Sequence, residues 1–296
     1  MSRGSIPWLA LAVALAAEAA HAYEVRALEL FANELVYEPV SGLLYASLPS
    51  AAGAAGNSVV PIDPETGSIG TPVFVGSELT ALATSEDGSA LYVALGGAYA
   101  IRRVDLGTQL AGAQFALGDD PVFGPYGAED IEVLPGSSDA IAVALTRSAI
   151  PRHGGVAVFD GGVRRALTTA AHTGANRIEF SSDPALLYGY NDQSTEFGFR
   201  RIRVDAQGAT ELDVTRSLIK GFDIEIEHAA GRVYAGSGRV IDPEQLQVDD
   251  AGCSRAQFCG QQGAFCKGAD WGNDEPGQKP RDCQVVPRSS QPCEPR

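Results

Sequence analysis

The chain has 296 residues, 45% hydrophobic and 20% charged, with a formal net charge of -15 and a pI near 4.6. So acidic an exterior repels phosphate backbones and anionic headgroups, and the sequence shows no basic patch to offset it, which excludes nucleic acid and membrane surfaces as expected partners. Its simplest consequence is solubility.

At the start, Arg3 precedes an uncharged stretch from Ile6 to Ala17, followed by Ala20-His21-Ala22. This predicts a signal peptide at 1–22 cleaved after Ala22, since a membrane span needs roughly 20 apolar residues. The expected location is secreted or periplasmic. No cysteine stands near the cleavage point to take a lipid. Glu24 to Phe31 (EVRALELF) then reads as a β-strand able to complete an outer sheet position.

From Leu35 a unit recurs: LVYEPVSGLLYAS, LTALATSEDGSALYVAL, IEVLPGSSDAIAVAL, IEFSSDPALLYGY and IEIEHAAGRVYAG. Tyr45, Tyr92, Ala142, Tyr188 and Tyr234 are equivalent, in steps of 47, 50, 46 and 46 residues. Each unit then ends a strand on aspartate, at Asp63, Asp105, Asp160, Asp205 and Asp242. Short apolar or alternating runs rich in β-branched and aromatic residues lie between Gly, Ser, Asp and Pro clusters, which is strand and turn chemistry. Ser85-Glu86-Asp87-Gly88 and Ser181-Ser182-Asp183-Pro184 read as turns. In the second unit the strands fall at Leu79–Thr84, Ala90–Leu95, Ala98–Asp105 and Gln114–Leu117. Ala51 to Gly56 reads as a flexible loop.

A period of about 40 to 50 residues with four antiparallel strands is one propeller blade. The expected fold is all-β, a β-propeller of about five four-stranded blades over 23–250. The count suits a closed five-bladed ring or the first blades of a six- or seven-bladed one. The fifth unit has its own outer strand, Gln245 to Val248, so Glu24 to Phe31 would be spare in a five-bladed ring.

The turn SEDGS with the strands ALYVAL and IRRVDL resembles the repeats of bacterial YVTN-type, WD40-like β-propeller proteins. The resemblance implies the architecture and leaves activity open, because such propellers include lactonases, quinoprotein subunits, surface-layer proteins and binding scaffolds.

All five cysteines, Cys253, Cys259, Cys266, Cys283 and Cys293, lie in a Cys/Pro/Gly-rich tail at 251–296 without periodic apolar residues. It reads as disordered, disulfide-linked or an out-of-frame continuation. The cysteine gaps and lack of histidine argue against zinc.

No catalytic constellation can be assembled, and neither a cofactor nor a metal is expected. His153, His172 and His228 fall in different units and read as ordinary loop or strand residues. The five repeated aspartates read as structural, accepting from the amides of the following turn. Asp130, Glu132, Asp223 and Glu225 sit on or near first strands, the strands that line a propeller's channel. They are the candidate ligand-binding residues, with solvent or channel-rim amides as their alternative partners. The expected function is an exported scaffold binding a protein or small polar ligand. The alternatives are a channel-site enzyme of lactonase or quinoprotein type, or a truncated copy lacking independent function. An open ring would also favour self-association.

Overall fold

The computed structural model describes residues 27–249; the expected signal peptide and the cysteine-containing tail lie outside the described residues. The described chain forms five four-stranded antiparallel sheets, each with its strands in sequence order. Blade 1 spans Glu34–Phe74, blade 2 Leu79–Ala116, blade 3 Gly127–Arg164, blade 4 Arg177–Arg216 and blade 5 Ile226–Val248. A two-stranded ribbon, Asp119–Asp120 with Gly124–Pro125, links blades 2 and 3.

Short turns make these meanders possible. After the first strand of blade 2, the Ala90 amide donates to Ser85 Oγ, the Ser89 amide donates to Asp87 Oδ1, and Gly88 takes a left-handed φ of 67°. Four of the repeated aspartates accept amides from the turn that follows: Asp63 from Glu65 and Thr66, Asp105 from Thr108, Asp205 from Gln207, and Asp242 from Glu244 and Gln245. Asp160 instead accepts two hydrogen bonds from Arg165, across a tight turn in which Gly161 and Gly162 both have positive φ.

Blades pack face to face through buried clusters. Tyr45, Val59, Leu79 and Leu91 join blades 1 and 2; Tyr92, Ile101, Ile131 and Phe159 join blades 2 and 3. Val156, Val158, Ile178 and Leu187 join blades 3 and 4; Tyr188, Phe199, Ile226 and Ile241 join blades 4 and 5. The repeat tyrosine has a reason in this packing, because its hydroxyl crosses to the next blade. Tyr45 accepts from Gln109 at 3.1 Å, Tyr92 donates to the Ser138 carbonyl at 2.8 Å, and Tyr188 lies 3.4 Å from Glu244 Oε1. The other face of blade 1 buries Leu44, Leu48, Val60 and Ile62 under Leu30, Leu35 and Tyr37. Among the described residues, no buried cluster joins blade 5 to blade 1.

Several local expectations need correction. Ala27–Phe31 forms no strand, and Leu30 is instead an apolar cover for blade 1; residues 24–26 lie outside the described residues. The Ala/Gly-rich segment contains a short 3-10 element, Ser50–Ala55, kinked at Gly53. In blade 2 the third strand starts at Ala100 and the outer strand runs Leu110–Ala116, and in blade 5 the outer strand is only Gln247–Val248.

Candidate functional site at the channel mouth

Aligned by pairing to the second strand, Val36, Ala83, Glu132, Glu179 and Glu227 form one tier of the inner strands. Two residues earlier along each strand come Glu34, Ala81, Asp130, Arg177 and Glu225. Side chains two apart share a strand face, so each tier presents equivalent positions of the five blades to one axial channel.

An inner strand has a free edge along the channel, and its unpaired amides need acceptors. Carboxylates of the preceding blade supply them. The Leu82 amide donates to Glu34 Oε2 at 3.1 Å, the Ile178 amide to Asp130 Oδ2 at 2.8 Å, and the His228 amide to Glu179 Oε1 at 3.2 Å. Asp130 also accepts its neighbour's amide, Ile131, through Oδ1 at 2.9 Å. Glu132 faces Glu179 carboxyl to carboxyl, and that approach adds to the burial that raises Glu132 well above the usual carboxylate range.

This carboxyl stack titrates late. Burial first, then Glu225, raises Asp130 to about 7. Burial raises Glu179 to about 8, with Glu227 and Asp130 adding to the rise. Glu132 and Glu34 are pushed well above the usual carboxylate range, again chiefly by burial. Glu34 responds to both Asp130 and Glu225, which places blades 1, 3 and 5 around the same space.

At one end the channel opens into a cleft of about 390 Å³ between blades 3, 4 and 5. Blade 3 contributes Arg152 and His153, at the entry to its third strand; blade 4 contributes Asn176 and the Asn191–Ser194 loop; Phe222 and Asp223 come from the approach to blade 5. Asn191 shapes the loop: its Oδ1 accepts the Gln193 and Ser194 amides, and its Nδ2 donates to Ser194 and Glu196. That turn fixes Asp192 toward Arg177, whose Nε donates to Asp192 Oδ2 at 3.0 Å. Arg177 also pairs with Glu225 at 3.1 Å. Beside them Glu129 accepts from Arg152 at 3.0 Å and from Asn176 at 3.1 Å.

Two side chains in this cleft are buried with unmatched polar atoms. Asp192 is 2% exposed and its Oδ1 has no hydrogen-bond partner among the described residues. His153 is equally buried, and neither ring nitrogen has one. Burial, then the charges of Arg200 and Arg147, lowers His153 to about 3, so the imidazole is neutral at physiological pH. Its ring lies against Gly174, where a Cβ would fall 2.1 Å from Nε2, so the histidine's position requires glycine there. Burial raises Asp192, opposed by Arg177; it also raises Glu225, with Arg177 opposing and Asp192, Asp223 and Glu129 adding.

The candidate carboxylates therefore divide. Asp223 lies in the cleft and Glu225 borders it through Arg177; Asp130 sits deeper on backbone amides, and Glu132 is one tier further, on Glu179. Sequence reasoning passed over Arg177, Asn176 and Asp192, and it separated His153 from His172, which pair as an isolated antiparallel bridge at the cleft. Two signals were available: Arg177 reverses the charge found at this position in blades 1, 3 and 5, and the loop after Tyr190 is longer than its counterpart after Leu95. Among the described residues, no three His, Cys, Asp or Glu side chains are placed to hold a metal ion.

The chain is a β-propeller, and solved structures share its architecture. Kuenenia stuttgartiensis hydrazine synthase matches with a TM-score of 0.53 and 16% identity, over 81% of this chain and 63% of that one. The present chain thus spans less than two thirds of that protein's chain. The β-propeller domain of Myceliophteria thermophila Cps50 (Swd1) matches with a TM-score of 0.56 and 14% identity, over 76% of this chain and 72% of that one. Identities this low establish the fold alone. No protein-family model and no curated protein matches the sequence.

Proposed function

We propose that the protein is a binding scaffold whose propeller presents the channel-mouth cleft to a small polar ligand. One observation carries this reading: polar and charged side chains set by three successive blades, Arg152, Asn176, Asp192 and Asp223, converge on the same concave space. The surroundings suit that use, since convergent polar groups in a pocket fix a ligand's orientation.

The finer family assignment, YVTN-type repeats, is supported by the SEDGS turn and the ALYVAL and IRRVDL strands. Export is supported by Arg3, the apolar stretch to Ala17 and the Ala20-His21-Ala22 site. Both belong to the same proposal.

The test is a thermal-shift screen of the full chain against a chemically broad set of small polar compounds, repeated on Thr173→Trp, which fills the cleft from its partly exposed wall. At least one compound should raise the melting temperature of the parent and not of the variant. A blank screen, or stabilisation that survives the blocking tryptophan, removes the cleft from consideration.

A further inference from the structure

The channel concentrates one sign of charge. Its two tiers hold six carboxyls, Glu34, Asp130, Glu132, Glu179, Glu225 and Glu227, against one guanidinium, Arg177, while blade 2 contributes Ala81 and Ala83. Arg177 is engaged at the mouth by Asp192 and Glu225, where Glu129 and Asp223 add further negative charge. One tier deeper Glu132 and Glu179 face each other. Asp130 and Glu34 act on Glu132, and Asp130 and Glu227 act on Glu179, all of the same sign. Carboxyls this close share the space while they carry protons, and each proton lost adds a like charge.

The seams of the ring do not resist that repulsion equally. Blades 1 to 5 are each joined to the next along the chain, and each of those four seams has its apolar cluster. Three of the four also carry a carboxylate-to-amide contact, which ionisation strengthens because a charged oxygen is the better acceptor. Between blades 5 and 1 the described residues supply neither a chain link nor a buried cluster. The facing residues explain this. Two residues before the repeat-tyrosine position, blades 1 to 4 turn Leu43, Ala90, Ala140 and Leu186 toward the next blade. Blade 5 has Arg232 there, paired with Asp242 at 3.4 Å and with Asp249 at 2.8 Å, and Glu227 and Tyr234 share its face. The opposing side of blade 1 is covered by its own Leu30, Leu35 and Tyr37. A charged face against a self-covered one loses little when water enters.

We infer that the propeller is a pH-operated clasp, in which deprotonation of the channel carboxyls parts blade 5 from blade 1 while the other four seams stay closed. This goes beyond the cleft and does not depend on what the cleft binds. Repulsion about a common axis is relieved by widening the ring, and the ring widens where it is held least. Burial keeps Glu34 and Glu132 well above the usual carboxylate range and Glu179 at about 8, so the clasp is closed in mild acid and loosens as pH rises through these values.

Electron–electron distance measurements on the full chain test this, with spin labels on p-acetylphenylalanine so that the cysteines stay untouched. One pair of labels, at Phe74 and Gln247 on the outer strands of blades 1 and 5, spans the seam; a second, at the exposed Leu110 and Val163 of blades 2 and 3, is the control. Between about pH 6 and about pH 8.5 a longer Phe74–Gln247 distance should gain at least about ten-fold in population, while the control distance stays fixed. The double variant Glu132→Gln, Glu179→Gln, its fold checked by melting at about pH 6, should keep the short distance at the higher pH. Should that variant fail to fold, Glu179→Gln alone takes its place and should move the opening to higher pH. A Phe74–Gln247 distance that does not change with pH, both distances lengthening together, or an opening that is unaltered in the glutamine variants overturns the clasp.

Discussion

In blades 1 and 2 the inner tier of the channel is Val36 and Ala83; in blades 3, 4 and 5 the same positions hold Glu132, Glu179 and Glu227. Yet all five sheets keep the same strand order, and the clusters between successive blades are built alike, from second and third strands packed face to face. The comparison separates two jobs within one repeat. The middle strands carry the fold, so the inner strand's outward edge can change from apolar to ionisable without changing the blade. Blades 1 and 2 use that latitude mostly for wall, and blades 3 to 5 use it for a polar channel and its cleft.

The largest expected effect breaks what both regions share. Phe159, 1% exposed, packs with its ring tilted against Phe115, centroids 5.6 Å apart, across the interface of blades 2 and 3, so Phe159→Ala should destabilise the propeller by about 3–5 kcal/mol in chemical denaturation. A loss under about 1 kcal/mol would mean the blade interface is not the main support.

The second test sharpens the difference by pH. Asp130 and Glu179 bind their protons more tightly folded than unfolded, with folded values of about 7 and about 8. Between the ordinary carboxylate range and those values the native state holds the extra protons, so their contribution is present at low pH and is lost as pH rises through the folded values. Melting temperature should fall from about pH 5 to about pH 8. Glu179→Gln should flatten that fall, whereas Ala83→Ser at the matching position of blade 2 should leave it unchanged. A melting temperature that rises over the same window would contradict the buried carboxyl stack.

The smallest effect concerns Glu34, the blade 1 carboxylate that meets the inner edge of blade 2. Glu34→Ala leaves the Leu82 amide without its acceptor and should cost about 1–3 kcal/mol, while Glu34→Gln keeps an acceptor oxygen and should be close to neutral at pH 7. Equal losses in the two variants would show that charge, and not the amide contact, is what Glu34 supplies.

The repeat was legible because its markers are structural necessities: the tyrosine reaches the next blade, and four of the five aspartates hold a turn. Outer strands were less legible. Leu110–Ala116 is exposed over nearly its whole length, so no burial alternation marks where it starts. Glu24 to Phe31 looked like a strand from its alternating apolar residues, but the same pattern serves Leu30 as a cover on blade 1. At the site, the inner-strand carboxylates could be read from the strand pattern. The cleft could not, because Asp192, Asn176 and His153 come from loops and strand ends whose meeting depends on how blades 3, 4 and 5 are set side by side.

Each carboxylate-to-amide contact along the channel spans 48 or 49 residues, one repeat. Blades 2, 4 and 5 therefore each meet an acceptor presented by the blade made just before, whereas blade 3 follows the alanines of blade 2 and has no such contact. For these three edges donor and acceptor become available in the order of synthesis, which keeps the partners local in a chain dominated by β-structure.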